Sequence, residues 1–176
     1  MDIKPTVCVV EDEPLICRSL ARLFKSADLE CECYSTASDF MAAFNPDKPA
    51  CIIVDIQLPG MSGLELQEKL IERGCSHPVI VLTAHAEVPL AVRAMKHGAV
   101  DFIQKPFSEQ MLLDSVWRAI NAHMQVWRSA QYAQGVKDRL KRLTPREREV
   151  LDLVVGGKPT RQIALMLGLS HKTIDN

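Results

Sequence analysis

The first 125 residues of this 176-residue chain predict an α/β fold. Short apolar runs alternate with amphipathic stretches, which is the pattern of β-strands joined by crossing helices. Three of the runs are apolar almost throughout, as expected where helices cover both faces of a parallel sheet. Because such crossovers are right-handed, we expect a five-stranded, doubly wound parallel sheet with strand order 2-1-3-4-5. The remaining residues predict a small all-α domain.

The predicted strands are short, and a helical pattern follows each of them. The strands cover Thr6–Val10, Glu30–Tyr34, Cys51–Val54, Pro78–Leu82 and Val100–Gln104. Apolar residues at helical spacing predict helices over Pro14–Ala27, Ser38–Phe44, Leu64–Arg73, Pro89–His97 and Ser108–His123.

The C-terminal part of the chain predicts a linker and short helices. A weak helical pattern over residues 124–142 is interpreted as a helical linker between a domain at 5–123 and one at 143–176. Thr144 then begins a capping box with proline at the first helical position. We expect one helix over Pro145–Val155, a second over Thr160–Leu167, and a third that begins after Ser170.

Composition and charge restrict the classes of protein to which the chain can belong. It is 47% hydrophobic and 24% charged, as soluble globular proteins are. No apolar stretch reaches membrane-spanning length and no signal peptide is evident, so we expect a cytoplasmic protein with no membrane partner. Residues 1–136 carry 12 Lys or Arg against 17 Asp or Glu, whereas residues 137–176 carry 9 against 5. The basic end is therefore a candidate for contact with nucleic acid.

The six cysteines predict buried thiols in a reducing compartment, not disulfides. Only the spacing of Cys31 and Cys33 has the appearance of a metal motif. We expect no metal there, because we place the two side chains on opposite faces of the second strand. No second Cys or His pair follows at the spacing of zinc ligands.

Acidic residues follow two strands that are neighbours in the expected order. Glu11 and Asp12 follow the first strand and Asp55 follows the third. Ligands of open parallel sheets bind beyond the carboxyl ends of the strands, so these three carboxylates should converge. Clustered carboxylates require a counter-charge, and oxygen ligands of this kind favour Mg²⁺. Thr83 follows the fourth strand, and Lys105, after the fifth, would balance the far side.

This set of groups predicts transfer of a phosphoryl group to a carboxylate. Asp55 would be the nucleophile, while the metal ion and Lys105 would stabilise charge on the transferred group. The Thr83 hydroxyl would bond to a phosphoryl oxygen. Each group alone has a simpler explanation, since a strand-end Asp is often a turn cap and Glu11 or Asp12 could cap the following helix. The convergence of four strand ends favours the catalytic interpretation.

Four segments resemble, in order and spacing, the signature segments of receiver domains of two-component response regulators. They are VVEDEP, IIVDIQLPGMSGLEL, VIVLTAH and AVDFIQKPF. The resemblance covers residues 5–123 and implies a flavodoxin-like fold, with phosphate accepted on Asp55 from a sensor histidine kinase. The run PLAVRAMKHGAVDFIQKPF is similar to the FixJ-like branch. Glu11 stands where Asp is commoner and keeps the acidic chemistry.

The resemblance also assigns roles to the other residues of the pocket. It implies four Mg²⁺ ligands, namely the carboxylates of Glu11, Asp12 and Asp55 and the backbone carbonyl of Gln57. Thr83 would be the switch hydroxyl, Phe102 the switch aromatic, and Lys105 the phosphate-binding lysine before a cis Pro106. Phosphorylation would draw Thr83 towards the phosphoryl group and remodel the face made by the fourth helix, fifth strand and fifth helix, where a homodimer would form.

Residues 143–176 resemble the LuxR-type DNA-binding domain in their TPRE start and LGLS-x-x-TI turn. Apolar residues have the spacing of a helix-turn-helix core at Ile163, Ala164, Leu167, Leu169 and Ile174. The resemblance implies that Lys172 and Thr173 touch phosphates of promoter DNA and that Asp175 and Asn176 face base edges.

The chain ends within the helix that would contact DNA. Domains of this type continue through a recognition helix and a further dimerisation helix, so we expect a truncated, incomplete domain. Residues after Gly168 should then be frayed, the apolar face of Ile163, Leu167 and Leu169 partly exposed, and specific DNA affinity lost.

Three functions are compatible with the sequence. The leading one is a phosphorylation-controlled transcriptional regulator that is not a turnover enzyme. The alternative is a receiver-only phosphate sink or protein-binding switch without DNA output. A phosphatase with an aspartyl-phosphate intermediate, similar to the haloacid dehalogenase type, is disfavoured because Gln57 stands where its second acid is expected.

Overall fold

The computed structural model describes residues 4–168 and contains the predicted sheet. Its strands are β1 (Thr6–Val10), β2 (Glu30–Tyr34), β3 (Ala50–Val54), β4 (Val79–Thr83) and β5 (Asp101–Gln104). All are parallel, in the order β2-β1-β3-β4-β5, which confirms the predicted fold class. β4 begins one residue later than predicted, since Pro78 has no N–H to donate. The Pro78 carbonyl instead accepts a hydrogen bond from the Ile52 N–H, at 2.9 Å.

Seven helices are present within the described residues. They are α1 (Pro14–Ser26), α2 (Ala37–Ala43), α3 (Gly63–Glu72), α4 (Val88–Lys96), α5 (Glu109–Arg142), α6 (Pro145–Val155) and α7 (Thr160–Leu167). Side-chain oxygens of Thr36, Ser62 and Thr144 cap α2, α3 and α6. The capping box at Thr144 confirms the predicted start of α6.

The sheet is covered by helices on both faces. One face packs against α1 and α5 through a core that includes Leu20, Phe24 and Val116. The other packs against α2, α3 and α4 through a second core that includes Phe40 and Leu66. Every residue of β3 is buried, because alternate side chains enter the two cores. This explains the unbroken apolar run that precedes Asp55.

Helix α5 continues without a break from the last helix predicted for the sheet domain into the predicted helical linker. The chain divides into two compact units, residues 1–127 and 128–176, and the boundary falls within α5. No helix within residues 4–168 is long and apolar enough to cross a membrane.

The described part of the second unit corrects one expectation. Ile163 is fully buried, although we expected it to be partly exposed, because α6 packs against α7. Leu167 of the same face is partly exposed, as expected. Arg146 of α6 also donates a hydrogen bond to the Leu167 carbonyl. Gly168 ends α7 in the left-handed conformation, with φ of 66°. The predicted DNA contacts Lys172, Thr173, Asp175 and Asn176 lie outside the described residues, as do Leu169, Ser170, Ile174 and the expected fraying.

The predicted placement of Cys31 and Cys33 was wrong. Their sulfur atoms lie 3.9 Å apart on the same face of β2. Residues two apart in a strand share a face, whereas adjacent residues alternate. The expected burial of the six thiols holds only in part, since Cys8 and Cys51 are buried, Cys17, Cys31 and Cys75 are half-buried, and Cys33 is exposed.

Candidate functional site

Four strands deliver polar residues to one pocket at the carboxyl end of the sheet. β1 and β3 end in register, so Glu11 and Asp55 emerge side by side. The Asp55 N–H donates to the Val10 carbonyl at 3.0 Å, and the Lys105 N–H donates to the Thr83 carbonyl at 2.8 Å. These bonds continue the ladder beyond the strand ends and fix the backbone from which the pocket side chains project.

Lys105 bridges the two buried carboxylates. Its Nζ atom lies 2.6 Å from Oε2 of Glu11 and 2.6 Å from Oδ2 of Asp55. Glu11 is 2% exposed and Asp55 7% exposed, so each negative charge would be costly without this ammonium group. The lysine therefore lies between the carboxylates, and not on the far side of the pocket as the sequence suggested.

Burial and pairing together set the protonation of the pocket. Burial raises the pKa of the Glu11 carboxyl above its usual value, against the opposing effect of Lys105. Burial alone would lower the pKa of Lys105, but the hydrogen bonds to Asp55 and Glu11 outweigh it and raise that pKa. The second oxygen of Asp55 accepts a hydrogen bond from the Gln57 N–H at 3.0 Å. The pocket thus holds a charged lysine against two acids.

The donor chemistry of the pocket fits a hard divalent cation. Glu11 and Asp55 share one ammonium group, so the pair keeps a net negative charge that a cation would neutralise. Asp12 is exposed, and within residues 4–168 its side chain makes no hydrogen bond or ion pair. In the same residues no three His, Cys, Asp or Glu side chains lie close enough together to hold a metal. The arrangement described is therefore the lysine-paired one, with Asp12 apart from the other two acids.

Thr83 and Phe102, the two residues predicted to form a switch, lie on the neighbouring strands β4 and β5. Thr83 is fully buried at the end of β4, and its Oγ1 accepts a hydrogen bond from the His85 N–H at 3.3 Å. Phe102, on the neighbouring strand β5, is half-buried against the core under α2, α3 and α4. The peptide bond between Lys105 and Pro106 is cis, as the resemblance implied.

Gly63 is a pocket residue that the sequence reasoning missed. A Cβ atom at this position would lie 2.1 Å from the Asp55 carbonyl oxygen and 2.9 Å from Cγ2 of Val54. Only glycine lets the first turn of α3 approach the backbone of Asp55 so closely. The signal in the sequence was a glycine directly after the capping Ser62, within PGMSG.

Comparison with protein families decides which class of protein carries this pocket. A family model described as the response regulator receiver domain matches residues 7–117. The chain belongs to the response regulators. A second model, described as bacterial regulatory proteins of the luxR family, matches residues 141–176. The response regulator is therefore a phosphorylation-controlled regulator of transcription, and the receiver-only alternative is not favoured.

Similar proteins match almost the whole length of this chain. Nodulation protein W of Bradyrhizobium diazoefficiens is 39% identical over 171 residues, which are 97% of this chain and 75% of that protein. Transcriptional regulatory protein FixJ of Azorhizobium caulinodans is 38% identical over 169 residues, or 96% of this chain and 80% of that protein. These similarities confirm the FixJ-like resemblance.

Solved structures of response regulators superpose on this chain. The low-resolution structure of response regulator StyR has a TM-score of 0.80 at 39% identity, and the match covers 98% of this chain and 87% of StyR. Full-length FixJ from B. japonicum has a TM-score of 0.64 at 31% identity, with 98% of this chain and 85% of that chain covered. Receiver domains generally bind Mg²⁺ at their acidic pocket, and they imply a histidine kinase as partner, as the luxR-type domain implies DNA.

Proposed function

We propose that this response regulator accepts a phosphoryl group on Asp55 from a sensor histidine kinase. One observation carries the proposal. Asp55 is a buried carboxylate whose oxygen lies 2.6 Å from the ammonium of Lys105, in a pocket that also buries Glu11. A structural ion pair needs only one acid, whereas a second buried acid leaves excess negative charge that suits a cation, and the cation and Lys105 together would stabilise the charge of a phosphoryl group.

The proposed reaction is an in-line displacement at phosphorus. A carboxylate oxygen of Asp55 forms the new P–O bond while the P–N bond to the kinase histidine breaks, and the imidazole nitrogen leaves with the electron pair. Lys105 is already placed to move from the carboxylates to the phosphoryl oxygens and stabilise their charge. Bound by the carboxylates of Glu11, Asp12 and Asp55 and the carbonyl of Gln57, Mg²⁺ would neutralise further charge on those oxygens.

The proposed switch passes from the pocket to α4. The Thr83 hydroxyl would turn from the His85 N–H towards a phosphoryl oxygen, and Phe102 would turn into the space released. Exposed apolar side chains on α4 suit a dimer face made with β5 and α5: Val88 is 77%, Val92 46% and Met95 49% exposed. Leu90, by contrast, packs against the core and belongs to the fold.

The proposal extends to the whole chain. The receiver domain would occupy residues 5–123, a helical linker 124–142, and the DNA-binding domain 143–176, with promoter contacts from Lys172, Thr173, Asp175 and Asn176. The protein would act in the cytoplasm. It would not be a turnover enzyme, because it would only accept a phosphoryl group and slowly hydrolyse its own aspartyl phosphate.

Mass spectrometry after treatment with acetyl phosphate and Mg²⁺ tests the proposal. We expect one added phosphoryl group, located on the peptide that contains Asp55, and none in excess EDTA. Asp55→Asn should abolish the label, whereas Asp47→Asn, an exposed acid outside the pocket, should leave it unchanged. Equal labelling of Asp55→Asn, or full labelling in EDTA, would show that the assignment is wrong.

A further inference from the structure

The C-terminal end of α4 is held by a buried side chain of α3. Gln67 is 1% exposed, and its Nε2 group donates to the Ala94 carbonyl at 3.1 Å and the His97 carbonyl at 3.0 Å. Carbonyl groups at a helix end have no following turn to bond them. Gln67 therefore supplies a donor to the His97 carbonyl and a second donor to the Ala94 carbonyl, which also accepts a hydrogen bond from the Ala99 N–H at 3.0 Å.

The orientation of the Gln67 amide is fixed by its neighbours. A flipped amide would place Oε1 against two carbonyl oxygens, so the NH₂ group must face α4. Oε1 is then buried, and it has no hydrogen-bond partner among residues 4–168. An unpaired buried acceptor is costly, which offsets part of what the two hydrogen bonds contribute. The contact is specific in geometry and modest in net strength.

A second contact from α3 reaches the same end of α4. Oε1 of Glu68 lies 2.6 Å from the Arg93 guanidinium and 3.4 Å from Nδ1 of His97. Both charged groups of the Glu68–Arg93 pair are more than one-third exposed, so the pair contributes little stability by itself. We call the contacts of Gln67 and Glu68 with α4 the α3–α4 latch.

Within residues 4–168, no hydrogen bond or ion pair from a side chain of α3 reaches the other end of α4. Its N-cap residue, Glu87, makes no side-chain capping bond, and the first helical residue, Val88, is 77% exposed. This end follows directly from Thr83 through residues 84–87, all of which are exposed. The first turn of α4 is thus held by the packing of Leu90 against the core, whereas the end far from Thr83 also has polar contacts from α3.

We propose that Gln67 is a positioning residue that holds α4 in the resting arrangement and sets how readily the receiver switches. The inference rests on the proposed function, in which phosphorylation of Asp55 remodels α4. A contact biases a two-state equilibrium only by the difference in its strength between the states. The latch is made in the arrangement described, and its modest net strength lets the movement of α4 break it.

The test is the near-isosteric variant Gln67→Met, which fills the same space and cannot donate. Without a phosphodonor, sedimentation equilibrium of the 176-residue chain should show a dimer dissociation constant about tenfold lower than that of the parent chain. Hydrogen exchange should rise in the last turn of α4 and stay unchanged in β1 and β3. Glu72→Gln, an exposed change on α3, is the matched control and should alter neither measurement.

A purely structural role predicts a different result. Gln67→Met would then lose stability while its dimer dissociation constant, with and without acetyl phosphate, stayed equal to that of the parent chain, and the inference would be overturned. If Gln67→Met does not fold, Arg93→Gln replaces it, with an expected change of about twofold in the same direction. No change in that variant would equally overturn the inference.

Labelling of Asp55 in the same samples separates this inference from the proposed function. If Asp55 is labelled normally but dimerisation of the variants is unchanged, only the inference about the α3–α4 latch is contradicted. If acetyl phosphate does not label the parent chain, the proposed function itself is contradicted.

Discussion

Two buried polar clusters lie at opposite ends of the same sheet and meet the cost of burial in different ways. At the carboxyl ends of the strands, Glu11, Asp55 and Lys105 are buried as a network of opposite charges. At the amino end of β4, His77 packs against His123 of α5, with ring centroids 4.6 Å apart and ring planes tilted by 38°. The first cluster keeps its charges by pairing them. The second contains two imidazoles with no acidic partner among the described residues.

The histidine pair is organised around backbone carbonyls. Nε2 of His77 lies 2.8 Å from the Lys48 carbonyl, and the thiol of Cys75 lies 3.3 Å from its Nδ1. Burial lowers the pKa of both imidazoles, and the proximity of His77 lowers that of His123 further. Both rings are therefore most stable in the neutral form.

This difference in charge between the two clusters indicates which end of the sheet can respond to a phosphoryl group. A cluster that already holds mobile positive charge can transfer it to new anionic oxygens, as Lys105 is placed to do. A cluster that excludes charge has nothing to transfer and serves to anchor α5 against the sheet. Function and anchoring are thus separated by electrostatics within one domain.

The two clusters should also respond to pH in opposite directions. The pKa of each histidine is lower in the folded state than the value of 6.5 expected in the unfolded chain. As the pH falls below 6.5, the unfolded chain therefore binds more protons than the folded one, and stability is lost on acidification. Glu11, with a raised folded pKa, binds protons more tightly when folded, so its contribution falls as the pH rises from 4.5 through the folded pKa. Lys105 also has a raised pKa and loses its contribution only as the pH rises beyond 10.5 through the folded value.

The largest expected effect is that of Lys105→Met in the absence of Mg²⁺. Removing the ammonium group leaves Glu11 and Asp55 buried without a counter-charge, so the free energy of unfolding should fall by roughly 3 kcal/mol at pH 8. Denaturant unfolding measures this, and the deficit should shrink at pH 5 as Glu11 takes up a proton. Acetyl phosphate labelling of Asp55 should be strongly slowed at both pH values. A variant as stable as the parent chain at pH 8 would contradict the pairing of charges in the pocket.

The histidine pair should make the protein less stable as the pH is lowered. Between pH 7 and pH 5 we expect each buried imidazole to cost about 1 kcal/mol of stability, because protonation is favoured in the unfolded chain. His123→Phe, which keeps the packed ring, should reduce this slope, as followed by denaturant unfolding across the pH range. An unchanged slope in His123→Phe would show that the pair is not what senses acid.

Glu11→Gln should separate charge balance from stability. Asp55 keeps Lys105 as its partner in this variant, and a burial-penalised charge is removed, so stability at pH 7 should change by less than about 1 kcal/mol. Labelling of Asp55 should nevertheless slow, because one carboxylate of the proposed Mg²⁺ site is lost. Thermal unfolding and intact-mass kinetics on the same sample measure the two effects. A large loss of stability would make Glu11 chiefly structural.

The smallest expected change in stability is that of Asp12→Asn. Its side chain is exposed, and within residues 4–168 it has no hydrogen bond or ion pair, so stability should stay within about 0.5 kcal/mol of the parent chain. If Asp12 turns in to bind Mg²⁺, labelling should require a higher Mg²⁺ concentration. A Mg²⁺ titration that matched the parent chain would exclude Asp12 from the proposed site.

The amino-acid sequence by itself determined the order of elements and the end of the sheet at which the pocket lies. The apolar run before Asp55, the acids after β1 and the lysine after β5 are local patterns, and parallel strands bring their carboxyl ends to one side. The capping box at Thr144 was equally local. These features were predictable because strand periodicity, capping and crossover handedness depend on neighbouring residues.

Only the tertiary structure decided which side chains touch. Lys105 reaches Glu11 across 94 residues of sequence, and Gln67 reaches the end of α4 across 27 to 30. Gly63 is required by a backbone approach that no local pattern encodes. The burial of Ile163 was also mispredicted, because it depends on how α6 meets α7. Periodicity fixes the face on which a residue lies, whereas contact between faces depends on helix offsets and rotamers that packing selects.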